Sequence, residues 1–241
     1  MVNQATTFRA LHHDRSPGDP LVLPGPWDAA SARVFEEAGF PALATPSAGI
    51  AASLGYEDGS TPADEMFAAI RRIVRAVSVP VSADIESGYG LPPKELVERL
   101  LETGAVGCNL EDSNHATAAL KPAQAQADWL SEFRSLAGDR IVLNARIDTF
   151  IRGAANPIDE AVSRAHLYIA AGADCVYPIG APPEALPTLR SRIEGPINVG
   201  APPGGPSLRE WGELGATRIT FGPGLQRRAM GAVREIAEGL G

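Results

Sequence analysis

Short apolar runs alternate with longer mixed segments along nearly the whole chain. The apolar runs suit buried strands, and the mixed segments repeat their apolar positions at helical spacing before closing on glycine. The pattern predicts strands at Leu21–Leu23, Ala42–Thr45, from Val79, Val106–Glu111, Ile141–Ile147, Asp174–Pro178, Ile197–Val199 and Arg218–Phe221. It predicts helices at about 28–39, 62–77, 93–103, 122–137, 157–171, 183–192, 207–215 and 225–240. Asp28 reads as an N-cap, and Thr61 as another with Pro62 at the first helical position. Glu-Ala-Gly-Phe, Glu-Thr-Gly-Ala, Ala-Ala-Gly-Ala and Glu-Leu-Gly-Ala recur where helices end, each feeding the next strand. Eight strand–helix units predict an α/β fold of the (β/α)8 TIM-barrel type, with 1–241 as a single barrel domain. Within it, 1–20 is a polar leader with a helix and a turn, and 223–241 carries the C-terminal helix. An open doubly wound sheet is the alternative, because strand order is not written in this pattern. The long Gly/Ser/Asp-rich stretch from Pro46 to Thr61 reads as a functional loop.

Alternation along the strands sorts the side chains. Val79, Val81, Ala83 and Ile85 share one face; Ser82, Asp84 and Glu86 share the other. The later strands leave Asn109 and Glu111, then Asn144, Arg146 and Asp148, then Asn198, then Thr220 facing inward. Asp84 and Glu86 lie within about 7 Å along one strand face and repel unless a cation intervenes. Gly88 and Gly90 allow a tight turn beside them. Four acids therefore meet one arginine at the carboxyl rim. A hard divalent cation offsets that excess. A plain ion-pair network of Arg146 with Asp148 or Glu111 is the competing reading.

Composition narrows the partners. A formal net charge of −8 argues against nucleic acid and anionic membranes. Cys108 and Cys175 fall in separate strands, with neither a disulfide framework nor zinc spacing. No run has signal-peptide or membrane-span character, so a soluble cytoplasmic protein is expected. His12, His13 and His166 read as surface or helix residues. Gly222-Pro223-Gly224 is either a plain turn or a phosphate site at a helix N-terminus.

Four segments together resemble the isocitrate lyase and phosphoenolpyruvate mutase superfamily. Asp84-Ile85-Glu86-Ser87-Gly88-Tyr89-Gly90 is similar to its metal signature. Asn109-Leu110-Glu111-Asp112 resembles its fourth-strand motif, and Asn144-Ala145-Arg146-Ile147-Asp148 its fifth. Pro24-Gly25-Pro26-Trp27-Asp28-Ala29-Ala30-Ser31-Ala32 resembles its first strand–helix turn. The resemblance implies a barrel of that kind and Mg²⁺, with Mn²⁺ as a substitute. It implies metal-site roles for Asp84, Glu86 and Glu111, the latter two partly through water. Arg146 would clamp the substrate carboxylate or enolate oxygen. Ser47, with Ala48 and Gly49, would hold a 2-oxo acid, in a substrate set completed by Asp84 and Asn198. Asp58 falls on the gating loop. The lyases' Lys-x-Cys-Gly-His segment is replaced here by Ser113-Asn114-His115-Ala116-Thr117-Ala118-Ala119-Leu120. His115 is the candidate proton donor in its place. The function implied is a Mg²⁺-dependent lyase that breaks a C–C bond of a small 2-oxo or 2-hydroxy acid through an enolpyruvate-like intermediate. A phosphonopyruvate-type mutase or hydrolase is the second expectation, and a non-catalytic 2-oxo-acid-binding protein the third. A homo-oligomer, dimer or tetramer, is also expected.

Overall fold

A computed structural model describes residues 3–13, 15–114 and 117–240. Its strands are β1 (Leu21–Val22), β2 (Leu43–Ala44), β3 (Val81–Asp84), β4 (Gly107–Glu111), β5 (Val142–Ile147), β6 (Cys175–Pro178), β7 (Asn198–Gly200) and β8 (Arg218–Thr220). Its helices are α1 (Gln4–Ala10), α2 (Ala29–Glu37), α3 (Ser47–Leu54), α4 (Ala63–Val74), α5 (Pro93–Thr103), α6 (Ala123–Ala137), α7 (Pro157–Ala170), α8 (Leu186–Arg192), α9 (Leu208–Glu213) and α10 (Gly224–Glu238). All strand pairs are parallel. They form a five-stranded sheet, β2-β3-β4-β5-β6, and a three-stranded one, β1-β8-β7. Two backbone bonds cross between the sheets: Ala44 N–H to Pro24 C=O at 3.1 Å and Val176 N–H to Pro196 C=O at 3.1 Å. Among the described residues no helix is long and apolar enough to cross a membrane.

The expected facing holds where the backbone stays extended. Val81, Ala83, Ile85, Cys108, Leu110, Leu143, Ala145 and Ile147 join Ile70, Ile73, Leu96, Leu100, Leu130 and Phe133 in the principal core. Burying each large apolar side chain is worth about 1.5–3 kcal/mol, so this layer fixes which way each strand faces. The inner residues are then set by register. Asp84 stands beside Asn109, Asn109 beside Asn144, Glu111 beside Arg146, and Arg146 beside Tyr177.

Three expectations about elements are corrected. The 46–61 stretch is not all loop, because α3 runs through its first half. Small residues gave no strong helical signal there, yet Ile50 and Ala51 bury completely. Pro62, not Thr61, is the N-cap of α4. The sixth predicted helix divides into a 3-10 turn, Pro183–Ala185, and α8.

The polar leader is corrected as well. Asn3 caps α1, and Phe8 and His12 sit one helical turn apart on the same side. Phe8 is fully buried with Leu21, Leu23 and Val142. His12, read as a surface or helix residue, is 3 % exposed. Arg218 donates to His12 Nε2 at 3.3 Å, which leaves the Nδ1 proton to donate to the Phe8 carbonyl at 2.8 Å. Burial first, and Arg218 second, push His12 down to about 3. The folded chain keeps His12 neutral, whereas the unfolded chain protonates it below about 6.5. Stability present above that pH is therefore lost as the solution is acidified, at roughly 1.4 kcal/mol per pH unit. His12→Gln is expected to flatten the dependence between pH 6.5 and 5 in urea titrations. An unchanged slope would show that folded His12 takes up its proton freely.

Candidate active site

The carboxyl ends of the strands surround a cavity of about 410 Å³. Asp84, the last residue of β3, receives a backbone donor from each of two neighbours. Ser47 N–H donates to its Oδ2 at 3.2 Å, and Glu86 N–H to its Oδ1 at 3.4 Å. Ser47 Oγ adds a bond to Oδ2 at 2.8 Å. Pro46, the N-cap of α3, makes no side-chain cap. Asp84 supplies it from another element, which aims the positive end of α3 at the cavity. Thr45 Oγ1 accepts the Asp84 backbone N–H at 3.1 Å.

Simple alternation fails at Glu86. The chain has left β3 there and turns through left-handed conformations at Glu86 (φ 52°), Gly88 (φ 90°), Tyr89 (φ 56°) and Gly90 (φ 70°). A non-glycine residue held this way costs roughly 1–2 kcal/mol, so the surrounding packing has to hold it. Glu86 as a whole is 6 % exposed. Among the described residues its Oε1 has no hydrogen-bond partner. Burial, then Asp84 and Asp58, push its pKa up to about 7.

Arg146 reaches across to β4 and along to the residue just past its own strand. Nη1 lies 2.5 Å from Glu111 Oε2, and Nε 2.7 Å from Asp148 Oδ1. Nη2 donates to Asp148 Oδ2 at 3.3 Å. Burial raises Glu111 to about 8 against the pull of Arg146, with Asp84, Asp148 and Glu86 adding to the rise. The ion-pair network considered from sequence is thus present. Asp84 and Glu86 stand outside it, with no ion pair to either among the described residues. Asp112 braces the rim: its Oδ1 accepts Asp148 N–H at 2.9 Å, and its Oδ2 receives Arg164 and Tyr168 at 3.0 and 2.8 Å.

Ser47, Ala48, Asp58, Asp84, Glu86, Glu111 and Arg146 all line this one cavity. Four expectations fare differently. Gly49 does not line it; a Cβ there would come 2.9 Å from Pro46 Cγ, so the glycine serves close packing. Asn198 is fully buried below the cavity and donates to Thr220 Oγ1 at 3.1 Å, because it begins β7 and so lies a layer beneath the rim. His115 lies outside the described residues. Among the described residues, no three His, Cys, Asp or Glu groups converge tightly enough to enclose an ion directly. Asp84, Glu86 and Glu111 are therefore not a compact ligand triad, since the turn at Glu86 and the Glu111–Arg146 pair hold them apart.

Sequence reading assigned no role to several lining residues. Tyr177 was accessible from alternation, since Val176 joins the outer core and Tyr177 faces in. Arg152 was not, because it lies in a non-periodic segment after β5; it donates to Ser113 Oγ at 3.0 Å. Asn109 was placed inward without a role, and it too lines the cavity.

The phosphoenolpyruvate phosphomutase family model matches residues 8–240. An oxaloacetate decarboxylase of Rhodopseudomonas palustris is 30 % identical over 215 residues, spanning 84 % of this chain and 73 % of that protein. A crystal structure from Burkholderia cenocepacia J2315 superposes with a TM-score of 0.89 at 37 % identity, covering 98 % of this chain and 99 % of the other. The crystal structure of 2,3-dimethylmalate lyase does so with a TM-score of 0.87 at 29 % identity, covering all of this chain and 88 % of that one. Matched over nearly its whole length, the chain belongs to the phosphoenolpyruvate mutase/isocitrate lyase superfamily.

Proposed function

We propose that this chain is a Mg²⁺-dependent carbon–carbon lyase for a small 2-oxo or 2-hydroxy acid. The observation that carries the reading is Glu86 Oε1, a buried acceptor left without a partner beside Asp84 in a cavity that also holds Arg146. Mg²⁺ is commonly held by one or two carboxylates and keeps several waters. The residues fit such an ion: Asp84 would hold it, with Glu86 and Glu111 contributing partly through water. Bound there, Mg²⁺ would polarise the 2-oxo oxygen and offset charge that develops as the C–C bond breaks.

The chain's own groups supply the rest. Ser47 N–H is held by Asp84, so the Ala48 N–H in the first turn of α3 is the one that faces an acid carboxylate with the helix's positive end. Arg146 uses three of its guanidinium N–H groups on Glu111 and Asp148. Its remaining donors serve the developing oxyanion, held still by those two acids. Asp58, exposed at the rim, is the acid on the covering segment. The names of the decarboxylase and the dimethylmalate lyase support a C–C bond, while the family model and the Burkholderia structure, named for a phosphomutase and a phosphonomutase, support the P–C alternative.

The two sheets are further proposed to close as an eight-stranded barrel. The exposed Met230, Val233 and Ile236 of α10 are proposed to meet a second copy of the chain.

Turnover of oxaloacetate, a 2,3-dialkylmalate and phosphonopyruvate with Mg²⁺ tests the reading. Cleavage of either carbon acid with release of a 2-oxo acid or a carboxylate fragment is expected. Exclusive turnover of phosphonopyruvate would replace the lyase with a P–C enzyme. Tight oxalate binding with no turnover of any compound would replace it with a binding protein.

A further inference from the structure

We propose that Asn109 is a ligand contact that donates an amide N–H into the cavity, and that Arg218 beneath it is the positioning residue that sets this direction. The inference rests on the cavity being an acid site.

Asn109 occupies the middle of β4 at 8 % exposure and lines the cavity. Its Oδ1 accepts from Asn144 Nδ2 at 2.7 Å and, more weakly, from Arg218 Nη2 at 3.4 Å. Two amides facing each other can exchange donor and acceptor ends together at little cost. A guanidinium cannot, because every polar hydrogen-bonding group on it is a donor. With Arg218 present, turning Asn109 over would set its NH2 against the cation. The carbonyl end therefore points down toward Arg218, and the NH2 end points away from it, toward the rim.

Arg218 is itself out of keeping with a purely structural interior. It is fully buried. Its hydrogen-bond partners are His12, Ser82 and Asn109, all uncharged here, and it lies 5.8 Å from the centroid of the Phe8 ring. No ion pair to it is present among the described residues, and its Nε has no partner. A buried cation without a carboxylate costs several kcal/mol, and an apolar residue would fill the same space more cheaply. Its position below Asn109 gives that cost a use. It holds a donor toward a cavity whose other inward groups at this level are mostly acids, which an anionic ligand needs.

Calorimetry with Mg²⁺ and oxalate decides the matter. Asn109→Ala is expected to weaken oxalate about 10- to 100-fold, the range for losing a hydrogen bond to a charged group, while the Mg²⁺-induced rise in melting temperature persists. Arg218→Met is expected to weaken oxalate similarly, and to add nothing further in the Asn109→Ala background. Arg218→Lys, which keeps a cationic donor, is expected to recover most of the loss. Arg218→Met with a lower melting temperature but wild-type oxalate affinity would reduce Arg218 to a structural role and overturn the positioning claim. Should that variant not fold, Asn109→Ala still decides: affinity within twofold of wild type overturns the inference. Wild-type protein that fails to bind oxalate with Mg²⁺ overturns the acid-site reading and this inference together. Wild-type binding with an unaffected Asn109→Ala overturns this inference alone.

Discussion

Asp84→Ala is expected to lose Mg²⁺-dependent oxalate binding by more than about 100-fold, because even partners behind the ligands of a metal site are worth 10- to 100-fold. Asp84 does two jobs. It supplies charge next to Glu86, and it caps α3 through Ser47 N–H and Oγ. Alanine removes both. Asp84→Asn keeps a side-chain oxygen to accept from Ser47 but removes the charge. The two variants should therefore lose ion affinity alike. They should differ in α3, where only alanine is expected to speed amide exchange at Ile50 and Ala51. Calorimetry reads the first effect and hydrogen exchange the second. Asp84→Asn with wild-type Mg²⁺ affinity would remove Asp84 from the ion site, whatever happens to the helix.

Arg146→Gln is expected to have the largest effect on stability, a loss of about 3–5 kcal/mol at pH 8 in metal-free protein. The side chain is the shared counter-ion of Glu111 and Asp148, which are 2 % and 0 % exposed. Without it, two buried carboxylates lose the guanidinium they share, although Asp148 keeps Arg152 at 3.9 Å. Burial already raises Glu111 to about 8, and losing Arg146 raises it further. A carboxyl raised on folding favours the fold below its unfolded pKa, near 4.5. That advantage disappears as pH rises through the folded value. The deficit of Arg146→Gln should therefore widen between pH 8 and pH 9.5, where wild-type Glu111 ionises beside its guanidinium and the variant's carboxyl, raised further, does not. Arg146→Lys should recover part of it, since an ammonium restores charge but not the planar fork that spans both acids. Urea unfolding at the two pH values measures this. An equal deficit at both would assign the loss to packing rather than charge.

Parts of this site were open to reading before any coordinates. Asp84, Glu111 and Arg146 follow from strand alternation alone, because the outer residues of β3, β4 and β5 are apolar and leave them nowhere else to go. Glycine-closed helices located most elements for an equally local reason. α3 escaped notice because its serine and glycine content resembles a loop, and its stability comes from burying Ile50 and Ala51 under other elements. Phe8 and His12 escaped because a few polar neighbours conceal a single buried face.

What the sequence determined by itself is which side chains turn inward and which outward, since period-two alternation and helix capping are properties of a few consecutive residues. Partnership was decided only by the tertiary structure. That Arg146 reaches Glu111 on β4, that Asp84 caps α3, and that Arg218 lies among neutral groups under Asn109 all depend on how elements far apart in the chain are placed against one another. The strength of each such contact depends on how much water the assembled fold excludes, and no local pattern carries that information.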